Sequence, residues 1–217
     1  KDLNSKQIPF LPTIDDSSLN AFLPDTPAKL IKSEHFHNVP IMTGTTSAEG
    51  LVIYLVGQFD ASILSQINED IEILLPSHST LERGSKKSLE VAAKIKAFYF
   101  KERNISEATL KEYVDLESDC MFCYGAHEMV KAHLQQNHGP LFYYHFSHKG
   151  IWGFFESAGR SIPRTGNNPS VGLETAWPPY TSNDPCFLNI DTELTLGSEL
   201  NKERIEFWEK LYSEMEN

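Results

Sequence analysis

Leu141-Phe142-Tyr143-Tyr144-His145-Phe146 is a nearly unbroken apolar and aromatic run. A strand wetted on one face alternates apolar with polar residues. A run without alternation suits a central strand covered on both faces, the hallmark of α/β sheets with helices on either side. Asn137-His138-Gly139-Pro140 stops the helix-like stretch before it. The elements on either side supply the rest of an α/β pattern. A short helix is expected near Ala28 to Lys32, a strand at 39–44, and helices at Leu51 to Tyr54 and Ala61 to Glu72. Further helices are expected at about 87–102, at 107–116 behind a Ser106 cap, and from Asp119 to Gln136. Phe187 to Ile190 reads as another strand, and Glu199 to Glu214 as a closing helix with Ile205, Phe207, Trp208 and Leu211 on its apolar side. No internal repeat or low-complexity tract interrupts this order.

Within that frame, Val39-Pro40-Ile41-Met42-Thr43-Gly44-Thr45-Thr46-Ser47-Ala48-Glu49-Gly50 reads as a strand delivering one carboxylate to a loop. Loops at the carboxyl ends of strands are where chemistry gathers in open α/β sheets, and Gly44 and Gly50 permit backbone angles that other residues resist. Glu49 is therefore the candidate catalytic residue. On these residues alone a Glu before Gly is more often an ordinary solvated turn residue.

The order of motifs goes further. Ile8-Pro9-Phe10-Leu11-Pro12-Thr13-Ile14-Asp15 and Phe22-Leu23-Pro24-Asp25-Thr26-Pro27 precede the Glu49 turn. Leu116-Glu117-Ser118-Asp119, the Pro140 to Ser147 strand, Thr165-Gly166-Asn167-Asn168-Pro169, Trp177-Pro178-Pro179-Tyr180, Phe187-Leu188-Asn189-Ile190-Asp191 and a Phe207-Trp208 helix follow it. This succession resembles the type-B carboxylesterase and cholinesterase family of α/β hydrolases, with a flavour nearest to the insect-type alpha-esterases. The resemblance implies the C-terminal part of an α/β-hydrolase fold, a partial mixed or mostly parallel sheet flanked by helices, with residues 1–217 forming one portion of a single domain. It implies that Glu49 is the triad acid, that the substrates of complete relatives are apolar carboxylic esters, and that no cofactor takes part.

Two parts of the family's machinery are missing from the pattern. The nucleophile needs G-x-S-x-G, where glycines leave room for a tight strand-to-helix turn, and the chain has no such match. Gly159-Arg160-Ser161-Ile162-Pro163 comes nearest, with proline in place of the last glycine and no apolar strand leading in, so Ser161 reads as a loop residue. The family's histidine passage is also lacking: Pro163 runs directly into Arg164-Thr165-Gly166-Asn167, as across an internal deletion near 163–164. A triad acid works only through the histidine that it orients, so the chain by itself is expected to be inactive. The alternatives are a non-catalytic, binding or adhesion member of the family and a truncated product without function.

The eight histidines, at positions 35, 37, 78, 127, 133, 138, 145 and 148, do not form a metal pattern. His127 and His133 are six apart on a helix, and no C-x-x-C pair with histidine spacing or H-E-x-x-H accompanies them, so no metal site is expected. His145 and His148 should fall on opposite sides of the sheet, one buried and one exposed. Cys120, Cys123 and Cys186 read as buried thiols, since an odd count and a helical setting for the first two argue against a disulfide framework or a redox pair. A formal net charge of -11 without a basic cluster argues against nucleic acid and anionic membrane as partners. No apolar run reaches the roughly 20 residues of a membrane span, which leaves a soluble protein, cytoplasmic or secreted, as the expectation. Strands that await partners would leave a sheet edge open to self-association.

Overall fold

The computed structural model describes residues 13–15, 21–33, 37–56, 61–136, 139–148 and 175–216. In chain order the elements are α1 (Pro27–Lys32), β1 (Ile41–Thr46), α2 (Leu51–Val56), α3 (Ala61–Glu69), α4 (Lys86–Phe100), α5 (Leu110–Ser118), α6 (Tyr124–Gln135), β2 (Leu141–Phe146), β3 (Cys186–Ile190), β4 (Leu194–Ser198) and α7 (Lys202–Glu216). They fall into two compact units. A sheet unit comprises Ile14–Ser47 and Ala126–Lys202, and a helical unit comprises Lys1–Thr13, Ala48–Gly125 and Glu203–Asn217.

The strands of the sheet unit run in the order β1-β2-β3-β4. β1 pairs with β2 and β2 with β3 in parallel, while β4 returns antiparallel to β3. β2 is therefore an inner strand, and its unalternated sequence has the expected consequence. Leu141 and Tyr143 join Phe187 and Val130 in one buried cluster, whereas Phe142 joins Leu188 and Trp177 in another. Successive side chains point to opposite faces, so both faces of β2 are covered. Among the described residues β1 and β4 are the outer strands.

The helical unit is built around one core. α4 buries Ser88, Val91, Ala92, Ile95 and Tyr99, a three-and-four spacing that forms one face. Against it lie Tyr113 and Leu116 of α5 and Trp208 and Leu211 of α7. Phe98, which sequence alone leaves open as a pocket-lining residue, stacks on Phe207 with ring centroids 4.0 Å apart, and Tyr99 and Phe100 are buried in the core. Aromatic packing accounts for all three.

Several boundaries differ from the sequence expectations, each for a local reason. β1 begins at Ile41, after Pro40, and extends to Thr46. Gly44 thus lies inside the strand. Among the described glycines only Gly84 has a positive φ, so Gly44 and Gly50 are not chosen for unusual backbone angles. They are chosen for space: a Cβ on Gly44 would sit 2.2 Å from the Tyr144 carbonyl oxygen, and one on Gly50 would sit 2.3 Å from that of Val114. The helix expected over 61–72 ends at Glu69, because the Asp70 side chain caps a separate 3₁₀ turn at Ile71–Leu74. The helix expected over 107–116 opens with a 3₁₀ turn at Glu107–Thr109. A π-turn at Asp119–Cys123 opens the segment expected as one α-helix to Gln136. The last helix starts at Lys202 rather than Glu199, because Glu199 and Asn201 take left-handed φ values of 53° and 54°. β4 was not anticipated.

Candidate functional site

Glu49 occupies the turn at 47–50 that leaves the carboxyl end of β1, and its side chain is half-buried. The turn is closed by its own backbone. The Leu51, Val52 and Ile53 amides donate to the carbonyl oxygens of Ala48, Glu49 and Gly50 at 3.0, 3.2 and 3.1 Å, carrying the chain directly into α2. The Gly50 amide is served from farther off: it donates to Ser118 Oγ at 2.8 Å, and that hydroxyl donates in turn to the Val114 carbonyl at 2.7 Å. Glycine at position 50 is what allows the turn to lie this close to α5.

The Leu116 to Asp119 motif brings two wholly buried carboxyl groups to the end of α5, those of Glu117 and Asp119. Glu117 lies beside the Tyr113 phenol, which burial and then the neighbouring carboxylate hold well above the ordinary tyrosine range. Asp119 accepts from the Tyr99 hydroxyl at 2.6 Å, and that hydroxyl accepts from Trp208 Nε1 at 2.8 Å. Arg204 bridges Asp119 and Asp115, with Nε at 3.1 Å from the former and Nη1 at 3.2 Å from the latter. Burial pushes the Asp119 carboxyl up to about 6, against the opposing pull of Arg204. Nothing in the local sequence pattern marks this network, whose members come from α4, α5, the π-turn and α7.

The remaining candidates have plainer settings. His133 is buried, with Nε2 2.8 Å from the Gly139 carbonyl oxygen. His145 is half-buried with its ring edge-on to Phe187, and His148 is exposed just beyond β2. His148 Nδ1 lies 3.3 Å from Asp191 Oδ1, while the Ser147 hydroxyl donates to Asn189 Oδ1 at 2.8 Å and to Asp191 Oδ2 at 3.3 Å. Serine and histidine here both converge on the aspartate. A hydrolytic triad needs the histidine in the middle, so that imidazole takes the serine proton, and this order does not supply it. Cys120, Cys123 and Cys186 are buried and form no disulfide. Ser161 and the Pro163-Arg164 junction lie outside the described residues.

A mostly parallel sheet with helices is the architecture of an α/β-hydrolase fold. Juvenile hormone esterase from Manduca sexta, solved with OTFP covalently attached, superposes on 88% of the chain with a TM-score of 0.66 at 18% identity, using 44% of its own length. Residues 1–164 match the Carboxylesterase family, and the chain belongs to it. Esterase E4 of Myzus persicae is 27% identical over 173 residues, which is 78% of the chain and 30% of that esterase. Carboxylesterase 5A of Felis catus is 24% identical over 250 residues, covering 94% of the chain and 43% of the relative. The chain thus spans about a third to somewhat under half the length of these relatives. The second match is also longer than the 217 residues of the chain, so the relative carries residues inside the matched region that this chain lacks. Among the described residues no helix is long and apolar enough to cross a membrane.

Proposed function

We propose that this chain is the acid-bearing C-terminal portion of a serine carboxylesterase acting on apolar carboxylic esters, with Glu49 as the acid of the triad. The observation that carries the reading is the position of Glu49, on a tight turn at the carboxyl end of a parallel strand in a chain of this family. In the proposed mechanism its carboxylate holds a histidine in one tautomer and stabilises the imidazolium that forms when the serine proton is taken. Neither the serine elbow nor a histidine passage is present in the 217 residues, so the purified chain should show no triad turnover. In the full-length protein, Glu49→Gln should lower kcat by roughly three to four orders of magnitude, the usual effect of removing a triad carboxylate. Unchanged turnover of a short-chain aryl ester by that variant would refute the assignment.

The alternatives, a non-catalytic relative used for binding and a truncated product without function, share the direct Pro163-Arg164 junction with it. Long-read sequencing of the transcript separates the enzyme from both. A serine elbow upstream and a histidine passage at the junction support the enzyme, and a dominant transcript without them means that the protein has the family's fold elements without its chemistry. β1 and β4 are the outer strands among the described residues, and an edge that lacks its partner strands is where the isolated chain would self-associate. Light scattering of the purified chain tests this, and a stable monomer at all concentrations would contradict it.

A further inference from the structure

We propose that Ser118 is a positioning residue for the Glu49 carboxylate, acting as a cap supplied by α5 to the turn that carries the acid. The proposal rests on the reading of Glu49 as the triad acid. A helix leaves its first amides without partners inside the helix, and a side chain just before the helix normally satisfies one of them. The residues ahead of α2 are Ala48, Glu49 and Gly50, of which alanine and glycine have no acceptor side chain. The amides of Val52 and Ile53 are served by the turn's own carbonyls, and that of Gly50, just before the helix, is served across 68 residues of sequence by Ser118, whose buried hydroxyl accepts from it. The same hydroxyl is oriented by its bond to the Val114 carbonyl, so its lone pair is directed at the turn and not free to rotate away.

The effect falls on Glu49 because of what else fixes it. Its own carbonyl is held by the Val52 amide and the next residue's amide by Ser118, so the peptide units that follow its Cα are pinned. A triad acid contributes through placement, and a misplacement of about 1 Å can cost on the order of a hundredfold in rate. The absence of a side chain at Gly50 completes the arrangement, since a Cβ there would also meet the Ser118 nitrogen at 2.7 Å.

The test uses Ser118→Ala, with Ser118→Thr as the variant that keeps the hydroxyl. In the 217-residue chain, hydrogen exchange at the Gly50 amide should speed up by about tenfold or more in Ser118→Ala and return towards the wild-type rate in Ser118→Thr. In the full-length protein Ser118→Ala should lower kcat about tenfold with KM nearly unchanged, and the acid limb of the kcat/KM profile should move to lower pH. A histidine with a poorly placed carboxylate is a weaker base, whereas a merely structural loss would leave that limb in place. Unaltered exchange at Gly50, or faster exchange with an unmoved pH profile, overturns the proposal. If Glu49→Gln leaves turnover intact, the triad reading itself fails and the catalytic meaning of the cap fails with it. Loss of turnover in Glu49→Gln beside normal kinetics in Ser118→Ala rejects only the role of Ser118.

Discussion

The helical and sheet units bury their residues in different ways. The helical unit gathers a single apolar cluster from α3, α4, α5 and α7, with Ile67, Ile95, Phe100 and Trp208 entirely shielded from solvent. The sheet unit splits its buried residues into two smaller clusters, one on each side of β2. Helices can close around a common axis, while a sheet has two faces that must be covered separately. Their polar groups differ in the same sense. The helical unit encloses Glu117 and Asp119, whereas the Ser147, His148 and Asp191 group stands at the exposed end of the strands. Burial raises the carboxyl of Asp119, whereas hydrogen bonds from the Thr192 amide, His148 and Ser147 lower that of Asp191.

Truncation of Trp208 should produce the largest effect. Trp208→Ala removes a fully buried ring and the donor to the Tyr99 hydroxyl, and should cost about 4 kcal/mol in denaturant unfolding. Leu188→Ala in the sheet unit should cost about 3 kcal/mol. Separate shifts of two transitions would show that the two cores melt independently, and one common shift would show that they are coupled.

The pH response sharpens the same contrast. Asp119 faces Tyr99 from α4, Asp115 from α5, Arg204 from α7 and Cys123 from its own π-turn. Its carboxyl lies at about 6 in the folded chain against 3.8 ordinarily, so the folded state holds this proton more tightly than the unfolded state. The stabilisation from that proton is complete below about pH 4 and is lost as the pH rises through about 6. Wild type should lose about 3 kcal/mol over that window relative to Asp119→Asn, which has no carboxyl to titrate. Parallel stability curves for the two proteins between pH 4 and 7 would contradict this.

A smaller effect is expected at the close contact of β1 and β2. Gly44→Ala places a methyl group against the Tyr144 carbonyl and should cost about 2 kcal/mol by overpacking. An unchanged unfolding midpoint would mean that the strands separate there without penalty.

Much of this architecture was readable from local pattern. The doubly covered β2 followed from its unalternated apolar run, and the turn bearing Glu49 from a strand breaking into small residues. β4 escaped because Leu194-Thr195-Leu196-Gly197-Ser198 is short and carries a glycine that ordinarily weakens a strand; here a Cβ would strike the Phe187 ring, so the glycine is needed for pairing. The π-turn escaped because one extra residue per turn barely disturbs a helical periodicity. The Leu116 to Asp119 motif was legible as a family mark, yet its work was not. The partners of Ser118 and Asp119 lie on distant segments, and no local propensity encodes them.

The parallel register of β1 and β2 sets an order of events during synthesis. Ile41 aligns with Leu141, about a hundred residues later, so β1 leaves the ribosome long before its neighbour exists. At about 5–20 residues per second that wait lasts several seconds. Throughout it the amides and carbonyls of Ile41 to Thr46 that later meet β2 lack that partner, and this edge of the strand stays open until translation reaches Phe146.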